Sequence, residues 1–197
     1  DEYILTIINA LKDSGIYDKT ILILISDHGT SIGEKKGEKF YGVFTYDYTI
    51  NVFSIFHIPG IESKTINIQC RTLDLFPTIA DIAEFPIGEG FTQLQGKSLF
   101  ELTSNKSSEE REVFVETGGL YGPWPSAKKH NVFCVRSHGK KLIYNDTPET
   151  WEYYDLSNDP SESNNIYDEN LTDVQKLKTR LIYYLNENEI STKLDIS

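Results

Sequence analysis

Along the first fifteen residues, "DEYILTIINALKDSG", apolar side chains fall at Ile4, Leu5, Ile7, Ile8 and Leu11. That spacing places them on one face of a helix, and Gly15 supplies a C-terminal stop. A short link then leads into "ILILI", a continuous apolar run of the kind found in a strand covered on both faces. Helix, link and buried strand predict an α/β layered fold. "YDYTINVFSIFHIPG", rich in aromatic and β-branched residues and closed by Pro59-Gly60, predicts a second strand, and "KTINIQC" a short third. "RTLDLFPTIADIAEF" predicts a helix with Leu73, Phe76, Ile79, Ala80 and Ala83 on one face, since Pro77 is tolerated near a first turn.

The pattern changes near residue 105. After a polar stretch, "EVFVETGG", "HNVFCVRSHG", "KKLIYND" and "EYYDLSND" are short, turn-separated strands of an antiparallel meander. "DVQKLKTRLIYYLNEN" closes the chain as an amphipathic helix. The expected organisation is an α/β core portion over residues 1–105, followed by a subdomain of antiparallel strands plus helix over 106–197.

With 197 residues and 39% hydrophobic content the chain can bury a core. Its net charge of -11 argues against a nucleic-acid partner, because phosphate backbones carry the same sign. No apolar run approaches the roughly 18 residues that span a membrane, and no signal peptide is visible, which leaves cytoplasmic and secreted locations both open. Cys70 and Cys134 sit among apolar neighbours and read as small buried hydrophobes. Asn105, Asn145 and Asn170 match the glycosylation acceptor pattern, which matters only in a secreted eukaryotic protein. The chain begins abruptly and holds no methionine, so a piece of a longer protein is expected. Such a piece would expose an unpaired sheet edge and apolar helix surface, an invitation to homo-oligomerise.

The chemistry concentrates in "ISDHGTSIGE", directly after the apolar strand. In α/β sheets ligands collect beyond the carboxyl ends of the strands. There Asp27 and His28 offer a carboxylate oxygen and an imidazole nitrogen to one divalent cation, and Gly29 lets the backbone turn sharply. The bland alternative is equally simple: Asp-His-Gly arises by chance, and an Asp after a strand often caps a helix.

The wider context resembles the sulfatase family, within the alkaline-phosphatase-like superfamily. Gly15, Asp18 and Thr20 match its G-x-x-D-x-T link, Ser26-Asp27-His28-Gly29 its S-D-H-G, and Gly33-Glu34 its G-E. Further on, Ile58-Pro59-Gly60 resembles a strand end of the family. "RTLDLFPTIADIA" resembles its helix motif, and "YYDLSNDPSESNNI" its L-Y-D-L-x-x-D-P-x-E-x-x-N-L. The blocks occur in family order over residues 15–166.

The resemblance implies the C-terminal part of an alkaline-phosphatase-like α/β core, then a small antiparallel sheet with a terminal helix. It implies that Asp27 and His28 are metal ligands, completed by acidic ligands from an N-terminal half. One divalent ion is implied, calcium in a sulfatase, with manganese, magnesium or zinc as alternatives. The substrate would be a small-molecule sulfate ester, or a phosphate ester in a related branch. The family's nucleophile, a Cys or Ser oxidised to formylglycine in C/S-x-P-x-R, has no counterpart in these residues, so the chain alone is expected to turn nothing over.

Two departures stand out. Family members place a basic residue four or five positions before the Tyr of Y-E. Aligned on Tyr46-Asp47, those positions hold Gly42 and Tyr41. Lys39 is the candidate cation in their stead, for a developing negative charge in catalysis; the plain reading is a solvated lysine in a charged loop. The usual R-V-P is Asn51-Val52-Phe53. These changes leave open a phosphatase, a phosphonate or phosphodiester hydrolase or transferase of the superfamily, or a non-catalytic degenerate module. His57 reads as a core residue, His130 and His138 as parts of the meander, the turn at His138 resembling the family's v-R-x-x-x-y-K-y-i strand pair with Arg136 and Lys141, and "GGLYGPWP" as a packed loop or a cleft wall.

Overall fold

The computed structural model describes residues 1–38, 40–88, 94–103, 110–120 and 130–194. The chain divides into two compact units, and the division is not linear in sequence. One comprises Asp1–Ile25 with Phe53–Glu109, the other Ser26–Val52 with Glu110–Ser197.

In the first unit, helix α1 spans Glu2–Asp13. It stops as its glycine requires: Gly15 adopts φ 66°, and the Ile16 amide reaches back to the Leu11 carbonyl at 3.1 Å. Strand β1, Leu22–Ile25, pairs antiparallel with β2, Ser54–His57. The double-sided burial expected of "ILILI" is not reached: β1 is half-buried, and Ile25 is exposed. A 3-10 turn over Thr72–Asp74 runs into α3, Leu75–Ile82. Asp74 is fully buried and accepts from the Arg71 guanidinium at 3.0 Å and the Lys97 amide at 2.9 Å. Ala80 is buried, whereas Leu73, Phe76 and Ile79 of the expected apolar face are exposed.

Three expectations are corrected here. "KTINIQC" forms no strand. The first half of "YDYTINVFSIFH" is helical, not extended, as α2, Asp47–Ile50, precedes β2. Cys70 is exposed; only Cys134 is buried.

The second unit is organised by an antiparallel meander, β3 (Val113–Leu120), β4 (His130–Ser137), β5 (Lys140–Asn145) and β6 (Thr150–Asp155), in chain order. Period-2 alternation gives this sheet two apolar faces. Phe133, Val135, Leu142, Tyr144 and Tyr153 point to one face and are covered by α4, Thr172–Glu187, through Val174, Leu177, Leu181 and Leu185. Val132, Cys134, Ile143 and Tyr154 point to the other face and meet Phe44 and Tyr46. The segment carrying the Asp-His-Gly motif is therefore anchored on this sheet by its own aromatic residues. Asn145 is buried within β5 and donates to Glu152 at 2.7 Å, so its acceptor pattern is not presented to solvent. Among the described residues no helix is long and apolar enough to cross a membrane.

Candidate functional site

Two residues after β1 ends, Asp27 and His28 stand side by side. The imidazole Nδ1 lies 2.7 Å from the Gly29 carbonyl oxygen and so acts as the donor there. The other ring nitrogen, Nε2, lies 3.4 Å from Asp27 Oδ2. A ligating histidine is usually held this way, its other ring N–H tied to a carbonyl. The Asp27 side chain is 86% exposed and that of His28 36%, so both donor atoms can be reached from outside. A carboxylate oxygen and an imidazole nitrogen form a donor pair that fits a divalent cation. Among the described residues no group of three or more His, Cys, Asp or Glu converges as a metal cluster.

The turn is held from behind. Gly29 donates its amide to the Thr49 carbonyl at 2.8 Å, and a Cβ on Gly29 would sit 2.1 Å from the Tyr48 carbonyl oxygen. Glycine is needed here for close approach. The Tyr41 ring lies over His28 with centroids 3.8 Å apart. Tyr41 is one of the two positions where the family places a basic residue, and it offers an aromatic face instead. Beyond the turn, Glu34 accepts from the Ile32 amide at 2.7 Å and Ser31 Oγ at 3.1 Å. Backbone N–H groups, its own first, hold its carboxyl below the usual range. Buried Glu38 accepts from the Phe44 amide at 3.0 Å and from Tyr48 Oη at 2.7 Å. Burial, then that bond, pushes the Tyr48 phenol up.

Sequence reasoning missed the ion cluster beneath α2. The fully buried Lys141 ammonium is 2.8 Å from Asp47 Oδ1 and 2.8 Å from Glu162 Oε1. Arg136 approaches Asp47 Oδ2 at 3.4 Å. Glu162 Oε2 accepts the Asp47 amide at 2.6 Å, and the Glu162 carbonyl accepts Lys35 Nζ at 2.5 Å. Burial pushes the Glu162 carboxyl up, against the opposing pull of Lys141. The only signal in the sequence was the match of Arg136, Lys141 and the D-P-x-E segment to family motifs. Nothing in their local pattern shows that a lysine in a turn-flanking strand is sealed from water.

The other candidates are scattered. Lys39 lies outside the described residues, as do Asn105 and residues 121–125 of the "GGLYGPWP" loop. His57 stacks on Tyr17 with centroids 4.2 Å apart, as a packed residue does. His138 sits in the β4–β5 turn at φ 50°, its amide donating to Glu110.

Residues 34–189 match the family model described as N-sulphoglucosamine sulphohydrolase, C-terminal. Asp27 and His28 lie just ahead of that match. The chain is similar to arylsulfatase K of Rattus norvegicus, 30% identical over 95% of this chain and 33% of the relative. It is equally similar to an N-acetylglucosamine-6-O-sulfatase of Bacteroides thetaiotaomicron, 30% identical over 96% of this chain and 33% of the relative. The chain thus spans about a third of the length of these curated relatives. Among solved structures, a putative sulfatase from Bacteroides thetaiotaomicron superposes with TM-score 0.74 at 22% identity, covering 95% of this chain and 42% of that one. A protein in complex with its substrate D-glucosamine-2-N,6-O-disulfate gives 0.69 at 24%, covering 95% and 37%. A phosphonate monoester hydrolase from Silicibacter pomeroyi gives 0.71 at 22%, covering 95% and 38%. At these identities the structural likeness establishes the fold, that of the alkaline-phosphatase-like enzymes.

Proposed function

Because this chain belongs to the sulfatase family, as its C-terminal portion, we propose that it contributes Asp27 and His28 as two ligands of a divalent metal in a sulfuric ester hydrolase. The observation that carries this reading is the locked imidazole. With Nδ1 tied to the Gly29 carbonyl, Nε2 and Asp27 Oδ2 are left as adjacent, accessible donors. When bound, the metal lowers the pKa of the nucleophile and neutralises charge on the ester. The chain's own residues do the rest of its share: Asp27 and His28 hold the ion, and the Gly29 turn fixes their orientation. Lys39 supplies a point charge for the anion.

The nucleophile, formylglycine by family resemblance, and the remaining acidic ligands come from outside these 197 residues. The isolated polypeptide therefore has no turnover, and its half-site binds metal weakly. Calcium is the metal expected for a sulfate ester. The relatives' names point to sulfated sugars or aryl sulfates as the substrate class.

A second reading, phosphonate or phosphate ester hydrolysis on the same fold, is compatible with the non-basic Gly42 and Tyr41, of which Tyr41 stacks on His28. The test is turnover of 4-nitrophenyl sulfate, glucosamine 6-sulfate and a phenyl phosphonate ester by the full-length protein and by its D27A and H28A variants. Sulfate-ester turnover lost in both variants is the expected result. Activity that survives both substitutions overturns the metal assignment. A preference for the phosphonate moves the reaction to the second reading, and no turnover of any ester leaves a degenerate module.

A further inference from the structure

We propose that Glu162 and Lys141 are positioning residues for the Asp27-His28 turn, acting on it through Asp47 and helix α2. Every group involved belongs to the second compact unit. The path begins in the D-P-S-E turn after β6. Asp159 accepts the Ser163 and Asn164 amides at 3.1 and 2.9 Å, and the turn so closed drives the Glu162 side chain inward until 1% of it is exposed. Glu162 is held at φ 52°, a left-handed conformation that a side-chain-bearing residue adopts at a cost.

From there its two carboxylate oxygens diverge. Oε2 takes the backbone amide of Asp47 and so caps the first turn of α2, while Oε1 takes Lys141. Lys141, itself fully buried, reaches on to the Asp47 carboxylate. Asp47 is thus gripped by its amide and its side chain at once. Two residues later the Thr49 carbonyl receives the Gly29 amide. The backbone beside His28 is thereby tied, in four steps, to a carboxylate 134 positions away in the chain (162 minus 28).

Burying a carboxylate and an ammonium, with a second carboxylate partly covered beside them, is a poor way to gain stability, since apolar residues of similar volume do as well or better. A strained residue that presents one of those carboxylates adds to the expense, and strain of this kind clusters where geometry has to be exact for function. The cluster has the character of a positioning device: directional, ion-paired, and applied to the element on which the site turn rests. Its consequence for metal binding rests on the reading proposed above; its consequence for the turn does not.

The experiment compares E162Q with L181A, a core change on the opposite face of the same sheet, in the full-length protein. Hydrogen exchange is followed at Gly29 and across β4, β5 and α4, and manganese affinity is measured alongside. In E162Q the Gly29 amide is expected to exchange about ten-fold faster or more while the β4 and β5 amides keep their protection, as in a local opening. Manganese affinity is expected to fall about 10- to 100-fold, the usual effect of removing an outer support of a metal ligand. L181A is expected to loosen α4 and leave both the Gly29 rate and the manganese affinity within two-fold of native.

Gly29 exchange within two-fold of native in E162Q overturns the proposal, as does a uniform loss of protection across the unit. Selective opening with unchanged manganese affinity overturns it too. If E162Q does not fold, D47N, which weakens the same cluster from its more exposed end, is read by the same criteria. Native protein that binds no manganese sinks the metal reading alone, and the exchange result still decides the positioning role.

Discussion

The Gly29 amide and the Thr49 carbonyl lie 2.8 Å apart in a hydrogen bond that closes the Asp-His-Gly turn against α2. The fit leaves no room for a side chain, because a Cβ at Gly29 would stand 2.1 Å from the Tyr48 carbonyl oxygen. G29A must therefore push the turn away from α2. The expected destabilisation is about 1–3 kcal/mol, typical of overpacking, seen as a lower urea midpoint. On the proposed reading of the site, displacing Asp27 and His28 by about 1 Å is expected to lower turnover of the full-length protein by about 100-fold. A G29A enzyme with native turnover would show that the turn tolerates movement.

A pH dependence follows from the turn that delivers Glu162. Asp159 is held below the usual carboxylate range by the Asn164 and Ser163 amides that point at it, in that order. Its folded value is lower than its unfolded one. The stability it contributes is therefore fully present above the ordinary carboxylate pKa of about 3.9, and is lost as pH falls through the lowered folded value. D159N removes the charge that these amides prefer. Its urea midpoint is expected below native at pH 7 and pH 5, with the difference narrowing as pH falls below about 3.9. A difference that persists unchanged at pH 3 would mean that Asp159 acts through shape alone.

How much of this was legible beforehand depended on whether local chemistry or distant partners decided the outcome. The stop of α1 at Gly15, the four-strand meander and the α4 stripe of Val174, Leu177, Leu181 and Leu185 follow from local pattern, and all are present. Asp27 and His28 were visible because the motif is contiguous. By contrast, "YDYTI" has strand composition yet forms α2, where the Asp47 amide is capped by a glutamate far away in the chain. Lys141 reads as an ordinary turn-flanking lysine, and only the converging carboxylates of Asp47 and Glu162 make its burial tolerable. Cys70 has apolar sequence neighbours, but no strand forms to carry it inward.

In the first unit the R-T-L-D-L block acts as a buried clamp. Asp74 is sealed from water and accepts from its own capping partner Arg71 through both the backbone amide and the guanidinium, each at 3.0 Å. It also accepts the Lys97 amide at 2.9 Å, which ties the 94–103 segment to the start of α3. Arg71 in turn donates to the Gln95 carbonyl at 3.0 Å, so one guanidinium bridges the acid and the segment it holds. R71M keeps the apolar stem of the side chain and removes the guanidinium from the buried carboxylate. Losing one partner of such a pair is expected to destabilise the unit by about 3–5 kcal/mol. Replacing both partners, as R71M/D74L, removes the buried charge as well and is expected to recover part of that loss, although the Lys97 amide then loses its acceptor. Urea denaturation of the two variants and of D74L closes the cycle. If R71M loses less than about 1 kcal/mol, Asp74 is carried by the backbone amides and the guanidinium adds little.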